Sequence, residues 1–162
     1  MYIQQADLFW DMSRSFVKEV MDVAVKETYQ KGDFLFREGD PAAHFYILIK
    51  GHIKLTTSEA GQLVHTVDRA GEAFGWSSLV DRDVYSASAE CAEKTILQKI
   101  DSISFQKILE EDMANGLIFF KRLAGIIGNR LIWSYKMVTA SSQAQVSPNA
   151  GSGQIEESEA VV

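Results

Sequence analysis

The residues best suited to hold a small ligand run from Gly71 to Ala87, GEAFGWSSLVDRDVYSA. Two glycines four apart let the backbone bend where a side chain would clash. The segment WSSL after Gly75 is long enough for one helical turn. A turn entered through glycine points several unpaired N–H groups the same way, and such a nest attracts an anion. The loop VDRDV then leads into YSASAECA, whose small residues permit close approach. Strand, glycine turn, helical turn, loop and strand together describe a candidate phosphate cradle.

Other residues with chemical potential give less. His44, His52 and His65 are at least eight positions apart, without the HxH pair that a jelly-roll metal site would use, so no metal is expected. Glu110, Glu111 and Asp112 form an acidic run of the kind that usually ends a solvated helix. No nucleophile elbow, Walker loop or close carboxylate pair is present, and GEAFG is not the dinucleotide fingerprint. No catalytic residue is assigned and an enzyme is not expected.

Three kinds of element must position the cradle. Residues 7 to 21 repeat apolar groups at Phe9, Met12, Phe16 and Val20, which is helical spacing, with Asp11 or Ser13 able to cap an inner start. Over 23–100 short β-branched and aromatic runs alternate with turns at Gly32, Gly39, Gly51, Gly61 and Gly71. That pattern predicts an antiparallel β-barrel or jelly roll. A short helix over 101–111 is capped by Asp101 or Ser102. A long helix over 113–139 completes an α+β fold.

That long helix carries two apolar stripes. One holds Leu117, Phe120, Ala124, Ile127, Leu131, Ser134 and Val138; the other holds Phe119, Leu123, Ile126, Arg130, Trp133 and Met137. One stripe can lie on the barrel, and Trp133 is read as core on that account. The second needs another partner, most simply a second copy of the helix in a homodimer. Residues 140–162 are small, polar and acidic, and read as a flexible tail following a single domain over 1–139.

Composition bounds the function. The chain has 162 residues, 46% of them hydrophobic and 23% charged, with a formal net charge of −6. That is ordinary for a globular domain, and the negative balance recruits neither nucleic acid nor an anionic membrane. No signal peptide is evident, and the greasy run LIFFKRLAGII is broken by Lys121 and Arg122 and cannot span a bilayer. The single cysteine, Cys91, excludes a disulfide framework and fits a reducing cytoplasm.

The order and spacing of GDFLFREGD, FYILIKGHIKL, GEAFGWSSL and YSASA, followed by a long helix, resembles the cyclic-nucleotide-binding domain of the catabolite-activator superfamily. The resemblance covers roughly residues 10 to 138. It implies that 71–87 is the phosphate-binding cassette and that the long helix dimerises and leans over the base of a cyclic nucleotide, cyclic AMP or cyclic GMP. Two positions depart from the family. Its ribose-binding glutamate falls at Trp76 and its phosphate-binding arginine at Tyr85. The cassette keeps the backbone donors of Gly75, Trp76, Ser77, Ser78 and Leu79, the Ser86 hydroxyl and the Ala87 amide. Arg130, Ser134 and Tyr135 fall where the family reaches toward the base.

A hydrogen bond to a charged group contributes about 1.5–3 kcal/mol, so two missing side chains cost roughly 3–6 kcal/mol if the terms add. At about 1.4 kcal/mol per tenfold, a micromolar site becomes roughly millimolar. Arg82, the Tyr85 hydroxyl and stacking on Trp76 are conceivable replacements. In haem-holding relatives His or Cys is the axial ligand, and His52, His65 and Cys91 would be the candidates. No helix-turn-helix pattern follows the long helix, so DNA recognition is not expected. The resemblance implies a sensor that binds a small effector and signals through its dimer helix to an output protein. The rival is a degenerate cassette kept for dimerisation or docking.

Overall fold

The computed structural model describes residues 8–57 and 62–145. Its internal contacts divide the chain into Met1–Ala124 and Gly125–Val162. Among the described residues of the first unit lie eight strands: β1 (Ala24–Tyr29), β2 (Phe34–Phe36), β3 (His44–Lys50), β4 (Ile53–Thr57), β5 (Gln62–Val67), β6 (Ala73–Phe74), β7 (Ser88–Cys91) and β8 (Thr95–Asp101). The helices are α1 (Arg14–Val23), α2 (Ser102–Glu111) and α3 (Met113–Gln145), and one 3-10 turn spans Trp76–Leu79.

The strands form two antiparallel four-stranded sheets, β1-β8-β3-β6 and β2-β7-β4-β5, the jelly-roll alternative of the expected α+β fold, with the sheets not closed into a barrel. The core between them is drawn from both: Tyr46, Leu48, Phe74 and Leu97 from one, Phe36, Ile53, Val67 and Cys91 from the other. Cys91 is fully buried, as its small apolar side chain suggests.

Strand β3 explains how the helices attach. Phe45, Tyr46, Ile47 and Leu48 are all buried, so the strand does not alternate. A strand buried on both faces reads as a continuous apolar run. Tyr46 and Leu48 face the inter-sheet core, whereas Phe45 packs on Phe105 of α2 at 4.9 Å and Phe119 of α3 at 6.4 Å between ring centres. Phe9 and Phe16 complete this helix-side aromatic cluster.

The first helix is shorter at its start than 7–21. Residues 8–11 form a turn, Asp11 adopts φ 58°, and the Ser13 hydroxyl caps the helix by accepting from the Phe16 amide at 3.3 Å. Phe9 and Met12 still reach the core, but from the turn. The guanidinium of Arg122 holds that turn by donating to the carbonyls of Leu8 and Trp10. Asp101 caps α2, accepting from the Ser104 amide and hydroxyl, both at 2.8 Å. Those bonds hold the Asp101 carboxyl below the usual carboxylate range, so the cap contributes above the ordinary aspartate value and weakens as pH falls through the folded one.

Helix α3 runs beyond residue 139 to Gln145, so 140–145 do not belong to a tail; 146–162 lie outside the described residues. Phe119 and Leu123 are buried as their stripe predicted, but Trp133 is 57% exposed and is not a core residue. No helix among the described residues is long and apolar enough to cross a membrane.

Gly51, between β3 and β4, has φ 121°, and a Cβ there would lie 2.7 Å from the Thr95 Cα and 2.4 Å from its Oγ1. Gly39 has φ 87° with open space around it. Gly51→Ala is expected to destabilise by about 3 kcal/mol, overpacking and backbone strain together, and Gly39→Ala by only about 1–2 kcal/mol. Urea unfolding of both variants measures the difference.

Candidate functional site

The cassette begins at the edge of β3. Short β6 pairs there, Tyr46 opposite Phe74 and Ile47 opposite Ala73, while the Leu48 amide donates to the Glu72 carbonyl at 2.9 Å. The chain then turns through Gly75, at φ 72° and ψ 24°, into the 3-10 turn. Glycine is required here twice over. The conformation is left-handed, and a Cβ would meet Tyr46 Cδ2 at 2.9 Å and Phe36 Cε1 at 3.3 Å.

The turn is closed by the Ser77 carbonyl, which accepts from the Val80 and Arg82 amides, each at 3.2 Å. Ser77 is buried, Trp76 and Leu79 are half-buried, and the buried Ser78 hydroxyl has no hydrogen-bond partner among the described residues. Residues 83–85 then zip onto 39–42: Ala42 donates to Asp83 at 2.8 Å, Tyr85 to Asp40 at 3.0 Å, and Gly39 to Tyr85 at 2.9 Å. Pro41, which has no amide proton to place, pairs opposite Val84 at this edge.

Tyr85 points into the protein. It is 3% exposed, and its ring stacks on Phe36 with centres 3.7 Å apart and planes 15° from parallel. The stack continues from Phe36 to Tyr46 at 5.6 Å and from Tyr46 to Phe74 at 5.3 Å. The Tyr85 hydroxyl donates to the His44 carbonyl at 2.6 Å and accepts from the His44 amide at 3.1 Å. Burial pushes its phenol up from the ordinary value, so it stays neutral. It provides neither a cation nor a free donor for a phosphate.

A second polar feature braces the entry to the cassette. The carboxylate of Glu72, 8% exposed, contacts His65 Nε2 of β5 at 2.7 Å, with Arg69 Nε at 4.0 Å. A buried carboxylate needs such partners to offset its lost hydration.

Of the residues predicted from sequence, Gly75, Trp76, Ser77, Ser78 and Leu79 form one continuous bend. Ser86 is exposed and Ala87 half-buried where the loop enters β7. Arg130 and Ser134 share one turn of α3 in the second unit, where the Ser134 hydroxyl donates to the Arg130 carbonyl at 2.9 Å. Sequence reasoning missed Phe36, Tyr46 and Phe74 as the floor beneath Gly75, and missed the His65–Glu72 pair. Strand patterns identify buried positions but not which rings meet across two sheets. The β4–β5 bulge between Leu55 and Thr56 also obscures which face His65 takes.

Tyr85→Phe would leave the His44 amide and carbonyl without the hydroxyl that joins them. Leaving buried polar groups unsatisfied costs about 1–3 kcal/mol. A loss in that range is expected in chemical denaturation, against a change within about 0.5 kcal/mol for the exposed Ser86→Ala.

Comparison with known proteins agrees with this geometry. A sequence profile described as "Cyclic nucleotide-binding domain" matches residues 26–112. Human cGMP-dependent protein kinase 2 is 32% identical over 99 residues, 59% of this chain but only 13% of that protein. Among solved structures, a cyclic nucleotide-binding domain from Methylobacillus flagellatus superposes with a TM-score of 0.74 at 21% identity, covering 86% of this chain and 80% of its own. The Thermus thermophilus catabolite activator protein gives 0.68 at 22% identity, covering 85% and 63%. At those identities the two structures show the fold. From the profile match and the geometry around Gly75, the chain belongs to the cyclic nucleotide-binding domain family.

Proposed function

We propose that this chain is a regulatory module that takes a small effector at the 71–87 cassette. It passes its state to an output protein through α3 paired with a second copy, and holds cyclic AMP and cyclic GMP only weakly. The observation that carries the reading is the Ser78 hydroxyl, buried and without a partner on the turn that Gly75 admits. A buried hydroxyl left unpaired costs free energy that a ligand can recover.

Weak binding of cyclic nucleotides follows from Tyr85. A cyclic phosphate carries a full negative charge, and the position that would answer it holds a neutral phenol bonded to backbone. Pairing through α3 is supported by Leu131, Ile132, Trp133, Tyr135, Met137 and Val138, all exposed along one stretch of helix. The buried Cys91 is compatible with a cytoplasmic protein.

A specific observation favours a second reading. Phe36 and Tyr46 lie against the cassette backbone at Gly75 and stack on the cassette's own Tyr85 and Phe74, as they would in a module whose pocket has closed and whose role is dimerisation or docking.

Thermal unfolding of the full chain, alone and with millimolar cyclic AMP, cyclic GMP and a nucleotide panel, separates the readings. Ligand near its dissociation constant stabilises by about 0.4 kcal/mol, a shift of roughly 1–2 °C, and that is expected for the two cyclic nucleotides. Ligand at about 100 times the constant stabilises by about 2.7 kcal/mol, or roughly 5–11 °C. A shift of that size with cyclic AMP or cyclic GMP contradicts the weak-binding reading. The same shift with another compound identifies the effector, and no shift with any compound favours the closed module.

A further inference from the structure

A groove of about 680 Å³ lies beside the cassette within the first unit. Its floor and walls are apolar: Leu79 and Val80 from the end of the 3-10 turn, Leu109 from α2, and Met113, Leu117 and Phe120 from the first two turns of α3. Met113 and Leu117 are 77% and 71% exposed. Soluble domains rarely leave such a patch uncovered without a use for it. The remaining charged lining residues are Asp81 and Glu110, and the lining includes no lysine or arginine. Asp81 is held in the left-handed region at φ 56°, a conformation that asparagine and aspartate tolerate best among residues with a side chain. Glu110 is bonded to Gln106 at 3.1 Å and opens the run Glu110-Glu111-Asp112.

We infer that this groove docks a basic amphipathic helix of another protein. Its apolar face would lie on Val80, Met113, Leu117 and Phe120, and its lysines or arginines would face Asp81 and Glu110. Helix-in-groove recognition needs an apolar trough for residues one turn apart and a complementary rim, and both are present here. Residues 146–162 are the wrong occupant, because they contain Glu156, Glu157 and Glu159 and no basic residue. Leu117 and Phe120 open the stripe assigned by its spacing to a second copy, but the exposed stretch proposed for pairing, Leu131 to Val138, lies further along α3, in the second unit. Because Leu79, Val80 and Asp81 continue directly from the cassette turn, a helix seated here and an effector at Ser78 would each change the other's affinity by the same factor. Docking itself stands whether or not the cassette takes an effector.

The test titrates the full chain with a designed Leu/Lys amphipathic peptide and a Leu/Glu peptide of the same length, by fluorescence anisotropy at low and high salt. Saturable one-to-one binding of the Leu/Lys peptide is expected, with no binding of the Leu/Glu one. The double variant Asp81→Asn, Glu110→Gln keeps side chains that suit both backbone positions. It should weaken binding by about tenfold at low salt and by less at high salt. Leu117→Gln, at a surface position, should weaken it at both, with unfolding curves confirming that each variant is folded. Equal binding of the two peptides, or unchanged binding in these variants, overturns the proposal. So does sedimentation showing that Leu117→Gln turns a dimer into a monomer, which would assign the groove to a second copy.

Discussion

The contact between the Gly75 backbone and the rings of Tyr46 and Phe36 sets the terms for the whole cassette. Any side chain at residue 75 would collide with those rings, and any shift of the rings would remove the floor on which the 3-10 turn rests. The rings are themselves fixed by packing. Phe36 stacks on Tyr85, Tyr46 on Phe74, and the Tyr85 hydroxyl bonds both backbone groups of His44, the first residue of β3. The loop that would present a charged side chain to an anion is instead tied down as part of the inter-sheet core.

This arrangement links the cassette to the rest of the fold through β3. One face of that strand carries Tyr46 beneath Gly75; the other carries Phe45 against Phe105 and Phe119. A displacement of the 3-10 turn therefore bears on two packed aromatic clusters, and close-packed interiors transmit such strain. The same turn supplies Leu79 and Val80 to the groove walled by α2 and the start of α3. Cassette turn, strand β3 and the start of α3 are thus packed together within the first unit.

Much of the fold was legible in the chain, for identifiable reasons. Gly71 and Gly75 marked the bend because a left-handed turn needs glycine, and Asp101 or Ser102 marked the start of α2 because either side chain can cap a helix; Asp101 does so. The failures are equally local. Phe9 and Met12 have helical spacing, yet reach the core from a turn because Ser13 provides the better cap. The α+β jelly roll was legible from the strand and turn spacing, but whether its two sheets close into a barrel was not, since turn spacing counts strands without saying which edges meet. Trp133 was read as core because periodicity defines a helix face but not what covers it. The helix outlasts residue 139 although its composition turns small and polar there; the hydroxyls of Thr139, Ser141 and Ser142 donate to carbonyls one turn earlier, at 3.0, 2.9 and 3.0 Å, and so are satisfied without leaving the helix. In the site, the absence of a phosphate-binding arginine was visible in the sequence. The use of Tyr85 as a core ring was not, because it depends on Phe36, which is far away in the chain.

Tyr85, where the family resemblance puts a phosphate-binding arginine, is a core ring, and the cassette is accordingly expected to hold cyclic AMP only weakly. Backbone amide NMR of the full chain during titration with cyclic AMP tests it most directly, because it reads Gly75–Leu79 and Ser86–Ala87 individually. No saturable shift of these amides is expected below millimolar nucleotide, with the amide of His44 unmoved. Saturation at micromolar concentration, with Ser86, Ala87 and His44 moving together, would show that Tyr85 yields to the ligand and would contradict that expectation.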